Sequence, residues 1–278
     1  MTQIKLAFST LGCPQWELPE VARAAREYGY EGVELRALGG SLDLLSRPEF
    51  RPAEVARTRE RLAAGGLAVC CVDTSCNFHS ADEAERREQE EAAVRHCELA
   101  AALGAPLIRV FPDLVQEGST FEETRDRIAE SLRRVAGRAP AGVRVGLETH
   151  GDFAAGRASA EVIRLADHPS LCIIWDAANS FSAGESVEDS AAAVAPYLAH
   201  VHLRDARPMG KEHWTPVLAG RGLVPFGEVA AALKRLGYEG FVSFEWEKYW
   251  HPEIEEPEVS LPDFAVAMRG ALGGAVGA

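Results

Sequence analysis

The sequence predicts a (β/α)8 barrel, and three observations support this fold class. Eight short apolar runs of strand type recur along the 278 residues, with helical segments between them. Their starts are about 28 to 41 residues apart, a spacing that suits one strand, one helix and two loops per unit. Four of the later runs end in side chains that can bind a metal, and a parallel barrel carries its active site at the C-terminal ends of its strands.

The predicted strands are short and rich in aliphatic and β-branched residues. In chain order they are IKLAFS, GVELRA, LAVCCVD, PLIRVF, VRVGLE, LCIIWD, AHVHLR and GFVSFE, which begin near residues 4, 32, 67, 106, 143, 171, 199 and 240. Apolar periodicity and punctuation predict helices over residues 17–28, 81–103 and 226–236. Each of these helices is followed by a glycine that favours a helix end, namely Gly29, Gly104 and Gly237.

No composition break or long linker divides the chain, so we expect one barrel domain over residues 1–278. A C-terminal extension follows the last strand. Pro252, Pro257 and Pro262 predict an irregular segment over about residues 250–278, because proline disfavours regular structure. One short helix, residues 265–272, is expected within that extension.

The overall composition bounds the kind of protein. Hydrophobic residues make up 47% of the chain, and no apolar stretch approaches the roughly 20 residues of a membrane-spanning helix. The start MTQIKLAFST lacks the apolar core of a secretory signal, so we expect a cytoplasmic protein without a membrane partner. The net charge of −13 argues against a nucleic-acid partner. The cysteines form no C-x-x-C pair and are expected to be reduced and structural: Cys13, Cys70, Cys71, Cys76, Cys97 and Cys172.

Four metal-ligand side chains end consecutive late strands: Glu148, Asp176, His202 and Glu245. Three carboxylates and one imidazole suit a divalent metal. Because side chains alternate along a strand, all four can point into one barrel mouth. For any one strand the alternative is a polar residue that meets solvent at the strand end. Four such residues at the ends of consecutive late strands favour the metal site over this alternative.

Several motifs carry a resemblance to a known family. They are GYEGVELR at the second strand, LETHGD at the fifth, WDAAN at the sixth, HVHLRD at the seventh and LGYEGFVSFEWE at the eighth. In this order they resemble the xylose isomerase-like superfamily of metal-dependent sugar isomerases, epimerases and dehydratases, which are TIM barrels. The resemblance spans nearly the whole chain. It implies that Glu148, Asp176, His202 and Glu245 bind the metal and that Glu148 and Glu245 also move the substrate proton.

The resemblance implies chemistry at a carbon next to a carbonyl. The first hypothesis is an isomerase or epimerase that acts on a keto-sugar or keto-polyol through a metal-stabilised enediolate. The alternative is a lyase or dehydratase that acts on an inosose or a 3-keto-glycoside with the same site. A third is an apurinic endonuclease-like repair enzyme, although the chain lacks the extra histidines of a three-zinc cluster. Mn²⁺ is the favoured cofactor, with Mg²⁺, Co²⁺ and Zn²⁺ as alternatives. A small carbohydrate is the expected partner, and a homo-oligomer remains open.

Further polar residues near the predicted strand ends are candidates for substrate binding: His150, Arg207, Asn179, Glu34, Arg109 and His79. Each has a structural alternative. A histidine can cap a strand end, an exposed arginine is common, and a Glu–Arg ion pair can join neighbouring strands. Asn179 stands where many relatives have a histidine. His200, two residues before His202, is expected to be a hydrogen-bonded interior histidine.

A glycine turn precedes the last predicted barrel helix. Gly220 and Gly222 in AGRG can leave backbone N–H groups free for an anion such as phosphate. The alternative is a tight turn without a ligand, because relatives with free sugars carry a similar one.

Overall fold

The computed structural model describes residues 4–209 and 213–273. Eight parallel strands close into a barrel in the order β1-β10-β7-β6-β5-β4-β3-β2, which confirms the (β/α)8 prediction. Within these described residues the strands are, in chain order, β1 (Lys5–Ser9), β2 (Gly32–Leu35), β3 (Ala68–Asn77), β4 (Leu107–Phe111), β5 (Arg144–Glu148), β6 (Leu171–Asp176), β7 (Leu198–Leu203), β8 (Asp205–Met209), β9 (His213–Val217) and β10 (Phe241–Phe244). Strands β8 and β9 form a separate antiparallel hairpin.

The α-helices surround the barrel. They are α1 (Leu18–Tyr28), α2 (Val55–Ala64), α3 (Glu83–Leu103), α4 (Phe121–Ala136), α5 (Gly156–Ala166), α6 (Ala177–Ser182), α7 (Val187–Val194), α8 (Phe226–Arg235) and α9 (Pro257–Gly273). The expected glycine after α1 is confirmed, because Gly29 has the left-handed backbone (φ 76°) that ends the helix. In the described part of the chain, no helix combines the length and the apolar character that crossing a bilayer requires.

The C-terminal extension is more regular than predicted. Helix α9 begins at Pro257, eight residues before the expected start, and contains Pro262 within it. Its apolar face explains why: Phe264 is fully buried and stacks on Phe244 with ring centroids 4.3 Å apart. Tertiary packing therefore overrides the proline signal. Residues 274–278 of the expected irregular segment lie outside the described residues.

The β8–β9 hairpin was not predicted. It follows β7 directly and pairs Asp205 with Val217 and Arg207 with Thr215. Each of its strands contains a proline, Pro208 or Pro216, and proline weakens a strand pattern because it cannot donate to a ladder. The hairpin lies outside the barrel sheet.

The barrel interior changes from apolar to polar toward the C-terminal ends of its strands. Three interior residues form a small apolar cluster: Cys71, Leu107 and Ile174. Side chains two positions later point to the same side of a strand, and these are Asp73, Arg109 and Asp176, all at most 1% exposed. The larger core between strands and helices is apolar. The polar groups that form the site therefore have little exposure to solvent.

Candidate active site

The predicted metal ligands converge at the C-terminal end of the barrel. Glu148 and Asp176 are the last residues of β5 and β6, His202 is in β7, and Glu245 follows β10. One ligand atom from each of the four lies within 4.8 Å of the others. All four residues are at most 4% exposed. The alternation of side chains along each strand, which the sequence shows, thus places these four side chains on the inward side of the barrel.

His202 presents one ring nitrogen to the carboxylates. Its Nε2 lies 2.9 Å from Glu34 Oε2, while its Nδ1 lies 3.6 Å from Glu148 Oε1 and 3.4 Å from Glu245 Oε2. Nδ1 is buried and has no hydrogen-bond partner in the described part of the chain. In the neutral imidazole the carboxylate at Nε2 accepts the ring N–H, which leaves the lone pair on Nδ1, as in carboxylate–histidine–metal arrangements. An unpartnered imidazole nitrogen among three carboxylates fits a divalent cation.

The electrostatics of the cluster agree with a cation site. Burial lowers the pKa of His202, but the carboxylates of Glu34 and Glu245 outweigh burial and raise that pKa well above its ordinary value. This shift reflects an excess of negative charge around the ring. A divalent cation supplies the opposite charge.

Glu148 is held by a buried arginine. Arg109 Nη1 lies 3.2 Å from Glu148 Oε2 and Nη2 lies 3.4 Å from Asp73 Oδ2. Burial raises the pKa of Glu148, but Arg109 and then His202 outweigh it and hold that pKa well below its usual range. Glu148 is therefore a carboxylate. Arg109 forms the Glu–Arg ion pair between neighbouring strands that was its structural alternative. It also lines the cleft described below, and its contact with a substrate stays a prediction.

Asp176 is oriented by Arg204 and Asn179. Arg204 Nη1 lies 2.5 Å from Asp176 Oδ2, and the Asn179 backbone N–H donates to Asp176 Oδ1 at 2.8 Å. The side chain of Asn179 accepts from Arg204 Nη2 and donates to the carbonyl of Thr149. Asn179 was predicted to bind substrate. Its amide is instead used within the protein, where it positions Arg204.

Glu34 was predicted to line the barrel mouth, but it lies deeper, within the barrel. It is 0% exposed, and its Oε2 is 2.7 Å from His200 Nε2 and 2.9 Å from His202 Nε2. The prediction for His200, a hydrogen-bonded interior histidine, is confirmed. Glu34 therefore orients a metal-ligand candidate rather than a substrate.

A cleft of about 310 Å³ opens beside Glu148 and Glu245. Its other lining residues include Arg36, Arg109, Phe111, His150 and Trp250. His150 lies against Phe111, with ring centroids 4.8 Å apart, and its Nδ1 is buried without a hydrogen-bond partner among the described residues. His150 therefore lies at the cleft, and its predicted contact with a substrate stays a prediction.

Two other candidates are placed elsewhere. His79 Nδ1 lies 2.9 Å from the carbonyl of Leu114, and Arg207 is exposed on the β8–β9 hairpin. Neither belongs to the described residues that line the cleft. Arg204, three positions before Arg207, contacts Asp176 and Glu245 of the ligand cluster. The signal for it was available, because Arg204 follows His202 by two residues and so shares its side of the strand.

The glycine turn does not leave an open anion cradle. The Gly222 N–H donates to Asp205 Oδ2 at 2.8 Å, and the Val224 N–H donates to Asp205 Oδ1 at 3.1 Å. A Cβ on Gly222 would meet that same carboxylate. Asp205 thus occupies the place that a phosphate would need, and the turn is structural.

The fold and the site define a class of protein, and the comparison with known families agrees. A family model described as xylose isomerase-like TIM barrel matches residues 22–263. The chain belongs to the xylose isomerase-like TIM barrel family. No curated protein sequence matches it.

Solved structures share the fold at low sequence identity. The IolI protein with a bound zinc atom has a TM-score of 0.79 at 18% identity and covers 98% of both chains. The probable 3-DHS dehydratase AsbF from Bacillus anthracis has a TM-score of 0.75 at 19% identity, over 96% of this chain and 98% of that one. D-Psicose 3-epimerase with D-tagatose, from Clostridium cellulolyticum H10, has a TM-score of 0.76 at 17% identity over 98% of both.

A fourth structure is much longer than this chain. It is a fusion of a xylose isomerase-like TIM barrel with 4-hydroxyphenylpyruvate dioxygenase, at 22% identity and a TM-score of 0.71. The alignment covers 87% of this chain and 39% of the fusion protein.

Proposed function

We propose that this protein is a divalent-metal-dependent isomerase or epimerase of a keto-sugar or keto-polyol, and that it moves a proton on a carbon next to the carbonyl. One observation carries the proposal. The carboxylates of Glu148 and Glu245 approach His202 Nδ1 from different strands, at 3.6 and 3.4 Å, and both line the same cleft. Two carboxylates that face one substrate space can take a proton from a carbon and return one to it.

The metal would be held by Glu148, Asp176, His202 and Glu245, with Mn²⁺ favoured. Three oxygen ligands and one nitrogen also suit Mg²⁺, Co²⁺ or Zn²⁺. A divalent cation at this position supplies Lewis-acid polarisation of the substrate carbonyl and stabilises the charge that develops as the α-proton leaves.

Each proposed proton-transfer residue has an arginine beside it. Arg109 keeps Glu148 ionised, which is the form that a metal ligand or a base requires. Arg204 Nη1 lies 3.6 Å from Glu245 Oε2 and 2.5 Å from Asp176 Oδ2. Arg204 therefore fixes the direction of Glu245 relative to Asp176. Burial strengthens these charge interactions, because buried surroundings are less polar than water.

A lyase or dehydratase is the second candidate, and His150 favours it. The expulsion of a β-substituent needs an acid near the leaving group. His150 lines the cleft with an unpartnered, buried Nδ1, and an imidazole nitrogen there is a candidate for the group that delivers this proton. In an epimerase the same side chain would hold a substrate hydroxyl instead.

The test is proton NMR in deuterated water with a panel of ketoses and keto-inositols. The metal-loaded protein is compared with an EDTA-treated sample, and the manganese is removed before each spectrum is recorded because it broadens the lines. Metal-dependent deuterium incorporation with an isomeric product supports the isomerase or epimerase. An unsaturated or cleaved product supports the lyase.

Variants connect the exchange to the named residues. Glu148→Gln and Glu245→Gln are each expected to reduce exchange by about 10²- to 10⁴-fold, the usual size of general acid–base catalysis. Glu27→Gln, on an exposed glutamate that pairs with Arg23 on α1, serves as the matched control. Full exchange in both site variants at saturating metal would contradict the proposal.

A further inference from the structure

Arg36 is a buried cation with few partners. It directly follows β2 and is 3% exposed. Its guanidinium donates from Nη2 to Ser75 Oγ at 2.8 Å. Among residues 4–209 and 213–273, no carboxylate oxygen lies within 4.0 Å of a guanidinium nitrogen of Arg36, the distance that defines an ion pair.

Three other arginines with little exposure have their partners within the protein. Arg109 has two carboxylates within 3.4 Å, and Arg204 pairs with Asp176. Arg86 donates from Nη1 to the backbone carbonyls of residues 80 and 81. A buried charge without a partner destabilises the fold. Arg36 has neither a carboxylate nor a backbone carbonyl as a side-chain hydrogen-bond partner in the described part of the chain, so its guanidinium is available to a bound anion.

Arg36 keeps its charge at neutral pH. Burial, followed by the like charge of Arg109, lowers the pKa of Arg36 to about 10. The guanidinium therefore remains protonated at pH 7. Its planar group matches the two oxygens of a carboxylate or phosphate.

The position of Arg36 joins this charge to the reaction site. Arg36 lines the same cleft as Glu148 and Glu245, and Ser75 and Asn77 add polar groups to the lining. Arg109 also lines that cleft, but its guanidinium already forms ion pairs with Glu148 and Asp73. Arg36 is thus the cleft arginine that can accept an anion without losing an internal ion pair.

We propose that the substrate carries an anionic oxygen group, a carboxylate or a phosphate ester, and that Arg36 binds this group. The cleft volume of about 310 Å³ limits the ligand to a small molecule. The anion site stands on the geometry of Arg36 alone. Its assignment to the reacting carbonyl compound rests on the proposed function.

Calorimetry on the manganese-loaded protein tests the proposal with three ketoses of similar skeleton: D-fructose, D-fructuronate and D-fructose 6-phosphate. We expect at least one anionic ketose to bind at least ~10-fold more tightly than fructose, because charge-assisted hydrogen bonds are stronger than neutral ones. The ketose that shows the preference identifies the group as carboxylate or phosphate.

Three variants assign the preference to this residue. Arg36→Gln should remove it, while Arg36→Lys should keep part of it, because lysine retains the charge but not the planar fork. Arg57→Gln, on an exposed arginine of α2, is the matched control and should keep the full preference.

A fourth variant keeps the test valid if Arg36→Gln fails to fold. Ser75 is exposed, so Ser75→Ala is a mild change for the fold. It leaves the charge of Arg36 in place but removes the bond that orients it, and should weaken anion binding by about 3- to 10-fold.

The two proposals fail separately. Equal binding of all three ketoses, or an anion preference that neither the Arg36 variants nor Ser75→Ala alters, overturns the anion site, whatever the exchange experiment gives. An Arg36-dependent preference without deuterium exchange in the anionic ketoses supports the anion site and counts against the proposed reaction.

Discussion

The Nε2 atom of His202 lies 2.9 Å from Oε2 of Glu34, so that Nδ1 faces Glu148 and Glu245. The same oxygen of Glu34 also lies 2.7 Å from His200 Nε2. One buried carboxylate from β2 therefore fixes the proton position on a metal-ligand candidate in β7. The first prediction tests this arrangement.

Glu34→Gln is expected to weaken Mn²⁺ or Co²⁺ binding by about 10- to 100-fold, the usual effect of losing a partner behind a ligand histidine. The amide is neutral, so it no longer draws the histidine protons to the Nε2 side. Calorimetric metal titration measures the change. The exposed Glu27→Gln change is the control, and unchanged affinity in Glu34→Gln would mean that Glu34 does not orient His202.

Metal should stabilise the folded protein. At a metal concentration of about 100 times Kd, binding to the folded state alone contributes ~2.7 kcal/mol, which raises Tm by about 5–10 °C for a chain of this size. Differential scanning calorimetry with Mn²⁺, and again after EDTA, measures the shift. His202→Ala should abolish it. The same rise in that variant would point to metal bound elsewhere.

Gly146→Ala should reduce both stability and metal affinity. A Cβ at residue 146 would lie 2.7 Å from Ile174 Cγ1. Gly146 and Ile174 each precede a metal-ligand candidate by two positions, at Glu148 and Asp176, so relief of the clash would displace the strand ends. We expect a loss of about 1–3 kcal/mol in the free energy of unfolding, measured by urea denaturation.

The control for Gly146→Ala is another glycine in open space. Among the described residues, and apart from the nearby backbone of α9 itself, no atom lies within 4 Å of the place that a Cβ on Gly270 would occupy. Gly270→Ala should leave stability unchanged or raise it by about 0.5–1 kcal/mol, because alanine favours a helix interior. Equal losses in the two variants would show that the contact with Ile174 is unimportant.

The six cysteines should be unreactive in the folded protein. All six are buried and free, and burial raises the pKa of Cys97 to about 12 and of Cys172 to about 11. A raised thiol pKa means less thiolate at a given pH, and the thiolate is the reactive form. With Ellman's reagent at pH 8 we expect no rapid reaction in the native state and six thiols in guanidinium chloride. Rapid native reaction of one thiol would reveal local opening.

Much of the fold follows from local pattern. The predicted strand LCIIWD has the bounds of β6, and the predicted helix over residues 81–103 differs from α3 by two residues at its start. These elements are set by alternation, apolar periodicity and glycine ends, all of which a short window contains. The β8–β9 hairpin and the start of α9 were not predicted, because their prolines suggested irregular structure. Strand pairing and packing against distant residues instead determine the structure of both segments.

The candidate site also has a part that the sequence predicts and a part that it does not. The four metal-ligand candidates could be grouped from the sequence because each stands at a strand end on the inward side: Glu148, Asp176, His202 and Glu245. Their partners could not, since Glu34 is 168 positions from His202. The direction of a side chain that crosses a barrel depends on strand tilt and on neighbouring groups, which sequence spacing does not give.

The position of Glu34 separates two properties that engineers often want to change independently. Among the described residues, those that line the cleft include Glu148 and Glu245 but not Glu34. A substitution at residue 34 therefore acts on the donor strength of His202 without altering the surface that a substrate would touch. Libraries built at residue 34 can search for altered cation preference, while libraries at Arg36 and His150 search for altered substrate choice, and the two sets can be combined afterwards.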